Sequence, residues 1–74
     1  MKLRVECYSG HRLDEEPRAL WLGSRRLEVN EVIDRWLDPR HRYFKVLTDD
    51  GQFILRQDHD TGEWELSASA PRAG

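Results

Sequence analysis

The sequence predicts an all-β domain: a small bent antiparallel sheet or SH3-like barrel of about five or six strands. Alternating apolar and polar residues recur along much of the chain, as in strands that bury one face. Turn signals that contain glycine separate these segments. The chain has 74 residues, enough for one small domain. We expect residues 1–67 to form that domain and residues 68–74, which are small and polar, to be a flexible tail.

The N-terminal part of the domain predicts three strands. Residues 2–8 alternate between apolar and polar side chains without interruption. Pro17 starts a short strand that ends at residue 22, because proline is tolerated at the first position of a strand. Gly23-Ser24 has glycine first, as a type II′ hairpin turn requires, so residues 25–29 are predicted to be the return strand.

Segment 31–37 fits two structures. Its apolar residues have helical spacing, and Asn30 could cap a short helix. A bent strand fits the same residues, because a β-bulge shifts the side-chain period by one. We favour the strand because the surroundings are rich in β signals and Pro39 ends the segment early. A single helical turn is the alternative.

Residues 42–66 predict three strands joined by two tight turns, one at Asp50-Gly51 and one at residues 59–62. These turns set the strand pairing, which places three charged residues in one row: Lys45, Arg56 and Glu65. The other face is apolar, and we expect it in the core: Phe44, Val46, Phe53, Leu55, Trp64 and Leu66. A slip of one residue in the last strand would expose its apolar side chains, so burial and turn chemistry favour the same register.

The composition excludes several function classes. The net charge is −2, from 12 basic and 14 acidic residues, which argues against a strongly electrostatic nucleic-acid binder. Cys7 is the single cysteine, so no intrachain disulfide can form. There is no apolar signal segment and no run of about 20 apolar residues, so we expect a soluble cytoplasmic protein.

Motifs for catalysis or metal binding are missing from the sequence. The residues that could ligate a soft metal do not form a paired ligand motif: Cys7, His11, His41 and His59. Neither a nucleophile elbow nor a glycine-rich phosphate loop is present. A chain of this length also has little volume for a ligand pocket. We therefore expect no enzyme, no catalytic residues, no metal, no cofactor and no small-molecule substrate.

Three functions are considered, and the preferred one is a non-enzymatic protein-interaction module, in one form a homodimer. Small size and unpaired strand edges favour it. The alternative is a nucleic-acid-binding accessory domain linked to DNA repair. Basic residues lie close in sequence to Trp21, Trp36 and Tyr43, which suits backbone contact with base stacking: Arg25, Arg26, Arg35, Arg40 and Arg42. Acidic residues alternate through the same region, which equally describes a salt-bridged solvent face. The least favoured function is a small enzyme or ligand carrier, which would need a pocket of at least about 300 Å³.

Residues 42–66, which we call the meander, also carry a resemblance. Tyr43-Phe44-Lys45-Val46, Asp50-Gly51, Phe53-Ile54-Leu55-Arg56 and Gly62-Glu63-Trp64-Glu65-Leu66 resemble a small bacterial domain of unknown function. A similar segment closes the C-terminus of some Y-family DNA polymerase relatives. The resemblance covers residues 26–66 and implies an accessory or interaction module tied to DNA metabolism. The family often has an aromatic pair before the residue that matches Tyr43, whereas this chain has residues 38–41, Asp-Pro-Arg-His.

Overall fold

The fold is a seven-stranded antiparallel sheet in the computed structural model, which describes residues 2–7 and 16–71. No helix occurs among these residues, so the all-β prediction is confirmed. The strand count of about five or six was too low. The strands are β1 (Lys2–Cys7), β2 (Pro17–Leu22), β3 (Arg25–Glu28), β4 (Glu31–Leu37), β5 (His41–Thr48), β6 (Gly51–Asp58) and β7 (Trp64–Pro71).

The strand order forces the sheet to curl. The order is β3-β2-β1-β7-β6-β5-β4, so β3 and β4 lie at opposite edges although only residues 29 and 30 separate them in the chain. Three Cα steps span at most about 11 Å, whereas the outer strands of a flat seven-stranded sheet would lie about 29 Å apart. The two edges must therefore approach each other at this connection. Val29 N donates to Arg18 O and Asn30 N donates to Leu47 O, which ties the connection to both sides of the sheet.

The core lies on the concave face. Its buried side chains come from five of the six longer strands and from β3: Leu3, Leu20, Leu27, Phe44, Val46, Phe53, Leu55 and Trp64. The predicted apolar face of the meander is confirmed, with Leu66 partly buried and packed against the others. Each fully buried leucine contributes about 1.5–3 kcal/mol through the apolar area it removes from water.

The hairpin between β6 and β7 has the predicted register. Arg56 lies opposite Glu65, and Leu55 lies opposite Leu66. The strand then continues past a bulge, and Gly51 pairs with Pro71 at its end. The chain from residue 68 to 71 is therefore a paired strand and not the flexible tail that we expected, while residues 72–74 lie outside the described part.

The hairpin between β5 and β6 differs from the predicted register by two residues. Thr48 pairs with Gly51, so the turn residues are Asp49 and Asp50 and not Asp50-Gly51. The Asp-Gly prediction assumed a type I′ turn, which needs a positive φ at both turn residues. No described non-glycine residue has a positive φ, and Gly51 takes φ 125° after the turn instead.

The buried hydroxyl of Thr48 supports this turn. It accepts the N–H of Asp50 at 3.1 Å and donates to the carbonyl of Gly51 at 3.0 Å. A shift of two residues leaves every side chain on its predicted face, because side chains alternate with period two. It changes the charged row, however: Lys45 lies opposite Ile54, and Tyr43 lies opposite Arg56.

Segment 31–37 is the strand β4, and the helical alternative is wrong. Its pairing with β5 shifts register between Val32 and Asp34, so Ile33 is the extra residue of a bulge. This bulge explains the spacing in the sequence that resembled a helix.

Candidate functional site

The open edge of β4 is the most unusual surface of the described chain. Among residues 2–7 and 16–71, β4 is the last strand of the sheet and pairs only with β5, so one row of its backbone N–H and C=O groups has no strand partner there. The large hydrophobic side chains that are exposed among the described residues all belong to this strand: Ile33 (40% exposed), Trp36 (39%) and Leu37 (71%). Apolar side chains and unpaired backbone groups thus coincide.

An aromatic pair reinforces the outer face of β4. Trp36 lies opposite Tyr43, and their rings stack with centroids 5.3 Å apart and planes only 3° from parallel. Tyr43 Oη donates to Asp38 Oδ2 at 2.8 Å, and Asp38 Oδ1 accepts the backbone N–H of Arg40 and of His41 at 2.8 and 2.6 Å. The Asp38 carboxylate therefore fixes both the turn after β4 and the ring on which Trp36 stacks.

These hydrogen bonds change two proton equilibria. The hydrogen bond from Tyr43, followed by those from the backbone of Arg40 and His41, holds the pKa of Asp38 below its ordinary value. The same bond raises the pKa of Tyr43, because ionising the phenol would remove the proton that it donates to a carboxylate. At neutral pH the pair is thus a carboxylate that accepts from a neutral phenol.

The outer face continues as a ladder beside this pair. Tyr43 lies opposite Arg56, and Arg56 Nε donates to Glu65 Oε1 at 3.0 Å. This bond raises the pKa of Arg56 above its ordinary value. Glu65 in turn lies opposite Lys2. Of the expected row, Arg56 opposite Glu65 is confirmed and Lys45 is wrong, because Tyr43 of the Trp36–Tyr43 stack takes the position opposite Arg56.

A cavity of about 610 Å³ opens at the end of the sheet where β4 meets β5. It exceeds the volume of about 300 Å³ at which ligand sites begin, so the expectation of little room for a pocket was wrong. Arg35 Nη2 lies 2.6 Å from Glu16 Oε2, and the Arg42 guanidinium lies 5.2 Å from the Phe44 ring centroid. These four residues line the cavity together with Trp36, Leu37, Tyr43 and His59.

The five arginines predicted for nucleic-acid binding do not share one surface. Arg25 Nη2 lies 2.7 Å from Asp50, just before β6, whereas Arg40 Nη2 lies 3.9 Å from Asp58, at the other end of that strand. The strand has eight residues, which corresponds to about 23 Å. Arg26 Nε is bound to Glu6 at 2.6 Å. Only Arg35 and Arg42 meet, at the cavity.

Sequence reasoning missed the exposure of Ile33 and Leu37, of which it noted only the spacing that fits a helix or a bent strand. This exposure follows from the strand order, because a strand becomes an edge only through its place in the sheet. Trp36 and Tyr43 were identified as aromatics near basic residues, but their stacking depends on the bulge that aligns them.

Residues 2–7 and 16–71 contain no cluster of metal-ligating side chains and no membrane-spanning helix. No group of three or more His, Cys, Asp or Glu side chains there could hold a metal ion. His11 lies outside these ranges. The same residues contain no helix with the length and apolar character needed to cross a membrane.

Comparison with known proteins gives no relative for this chain. No protein-family model, no curated protein and no solved structure matches it. The resemblance to a domain found in Y-family polymerase relatives stays a prediction, and the function has to be argued from the geometry alone.

Proposed function

We propose that this chain is a non-enzymatic protein-interaction module that pairs through the open edge of β4, with a second copy of the chain as its partner. The observation that carries the proposal is the coincidence on β4 of a backbone edge that no other described strand pairs with and the exposed side chains of Ile33, Trp36 and Leu37. Strand addition to such an edge provides main-chain hydrogen bonds, and neighbouring side chains provide buried apolar area.

The edge of β4 has little protection against pairing. Edge strands are commonly protected by lysine, proline or a bulge, and β4 contains neither lysine nor proline. Its bulge lies at Ile33, near the start of the strand, so residues 34–37 remain regularly paired with β5 and extended. Asp34 and Arg35 give this stretch charges of both signs, so that an antiparallel copy does not meet a row of one sign.

Sedimentation equilibrium over a range of protein concentrations tests the proposal. We expect a concentration-dependent dimer for the natural chain. Leu37→Lys should shift the species to monomer, because it places a charge on the paired edge where lysine is a natural protection. Leu37 is 71% exposed, so the substitution leaves the core intact.

Ser24→Lys is the matched control. Ser24 is exposed in the turn between β2 and β3 and receives the same added charge, so this variant should dimerise like the natural chain. A strict monomer at concentrations up to about 1 mM would contradict the proposal. A dimer that Leu37→Lys leaves unchanged would place the interface elsewhere.

A further inference from the structure

The open edge of β4 presents a definite set of backbone groups. Asp38 N donates to His41 O at 2.9 Å, so the backbone N–H of Asp38 faces the β5 side. The backbone groups of successive residues in an antiparallel strand point to opposite sides, and the pairing of β4 with β5 is regular from Asp34 onward. The N–H and C=O groups of Arg35 and Leu37 therefore point to the open edge, where a partner strand would bind them.

One of these edge groups already has an acceptor within its own strand. The backbone N–H of Arg35 donates to Asp34 Oδ1 at 2.8 Å, in an exposed hydrogen bond. A charged acceptor makes such a bond stronger than one between neutral groups. The contact also agrees with an N–H that points away from β5. The Asp34 carboxylate thus occupies a donor that strand pairing would use.

This cap opposes pairing at the edge. A second strand can bind the N–H of Arg35 only after the Asp34 carboxylate has left it, so a neutral hydrogen bond replaces a charge-assisted one. In a two-fold dimer the two strands are equivalent, and two caps have to open. Asp34 also lies between the exposed side chains of Ile33 and Trp36, within the surface that the dimer would bury.

From this contact we propose that Asp34 regulates the pairing of β4: its carboxylate competes with the partner strand for the N–H of Arg35 and keeps the dimer weak and reversible. The inference rests on the proposed function, because it needs a dimer that forms through β4. It gives a restraint to an edge that contains neither lysine nor proline. Removal of the acceptor should therefore strengthen the dimer, which is the opposite of the effect expected for Leu37→Lys.

Sedimentation equilibrium of Asp34 variants tests the competition. Asp34→Ala removes the acceptor and should lower the Kd of the dimer by about tenfold or more, since about threefold for each of two caps gives about tenfold in total. Asp34→Asn keeps an acceptor oxygen without the charge, so its Kd should lie closer to that of the natural chain. Glu31→Ala is the matched control: it removes one exposed carboxylate from the start of the same strand and should keep the natural Kd.

Amide hydrogen exchange detects the cap in the absence of a dimer. In the Leu37→Lys background, which should be monomeric, the N–H of Arg35 should exchange at least about fivefold more slowly than in the same background with Asp34→Ala. The comparison uses rates corrected for the intrinsic effect of the neighbouring side chain. This measurement concerns only the bond between Asp34 and Arg35, so its result does not depend on pairing.

The outcomes separate this inference from the proposed function. Equal Kd values for the natural chain and Asp34→Ala, with both dimers dissociated by Leu37→Lys, would overturn the regulation and leave pairing at β4 in place. Equal exchange of the Arg35 N–H with and without the carboxylate would overturn the cap itself. A gain in Glu31→Ala as large as that in Asp34→Ala would assign the effect to net charge and overturn the competition. A strict monomer in both the natural chain and Asp34→Ala would overturn the proposed function and this inference together.

Discussion

The two edges of the sheet, β3 and β4, differ in the side chains that they expose to solvent. β3 has four residues, of which only Leu27 is buried. Its arginines are bound by acidic residues of other segments, Arg26 by Glu6 at 2.6 Å and Arg25 by Asp50 at 2.7 Å. β4 has seven residues and presents Ile33, Trp36 and Leu37 to the solvent.

The difference shows which edge the fold protects. A short edge strand with charged side chains resists pairing with another chain, while a longer edge with exposed apolar side chains permits it. Both edges belong to one curled sheet of one small domain, so the sheet itself does not explain the contrast. The residues on each edge explain the contrast, and those on β4 support pairing at that edge.

A matched pair of leucines tests the contrast with the largest expected effect. Leu27 on β3 is 6% exposed and Leu37 on β4 is 71% exposed. Leu27→Ala should lower the free energy of unfolding by about 2–4 kcal/mol, because it removes buried methyl groups and leaves a cavity. Leu37→Ala should change it by about 0.5 kcal/mol or less.

Urea denaturation of both variants measures these free energies. Dimer formation should show the opposite pattern: Leu37→Ala should weaken the dimer, whereas Leu27→Ala leaves the interface residues unchanged. Equal losses of stability in the two variants would mean that Leu37 is as well packed as Leu27, and the contrast between the edges would fail.

The sequence alone does not distinguish these two leucines. Each leucine has charged neighbours in a short β-rich segment. Periodicity assigns a side chain to one face of a strand, but it does not show what covers that face. In the meander the same reasoning succeeded, because two hairpins place three strands side by side and one face must be buried. β4 is an edge because it does not pair with β3, from which only residues 29 and 30 separate it in the chain, and which pairs with β2 instead.

Turn chemistry explains the error of two residues between β5 and β6. The Asp-Gly dipeptide favours a type I′ turn, but an alternative turn at Asp49 and Asp50 uses the hydroxyl of Thr48 to satisfy local backbone groups. Both registers bury the same face, so burial could not choose between them. The stacked Trp36–Tyr43 pair and the cavity both follow from side-chain placement that pattern reasoning does not reach.

A smaller effect concerns the anchor of β4, the hydrogen bond from Tyr43 to Asp38. The folded state lowers the pKa of Asp38, so this carboxylate stabilises the fold above its unfolded pKa of about 4, and the stabilisation is lost as pH falls through the folded value. Tyr43→Phe removes the largest cause of the shift. We expect the Asp38 pKa to rise and the loss of thermal stability on acidification to become shallower.

Carboxyl NMR titration together with melting curves from about pH 7 to pH 3 checks this prediction. Asp58 is the internal control, because its lowered pKa comes from the backbone N–H groups of Thr61 and Asp60 and not from a phenol. Its titration should be unchanged in Tyr43→Phe. An Asp38 titration that also stays unchanged would show that the backbone of the turn, and not Tyr43, sets its pKa.

The smallest effect is expected at the protected edge. Arg25→Gln removes the ion pair with Asp50, in which the arginine side chain is 66% exposed. Exposed ion pairs are screened by solvent, so the free energy of unfolding should fall by about 0.5 kcal/mol or less in urea denaturation. With this result, we would infer that the charge on β3 keeps the edge unpaired more than it stabilises the fold. If Arg25→Gln loses several times this amount, the ion pair is a structural link between β3 and the turn before β6, and protection of the edge is no longer the reason for its charge.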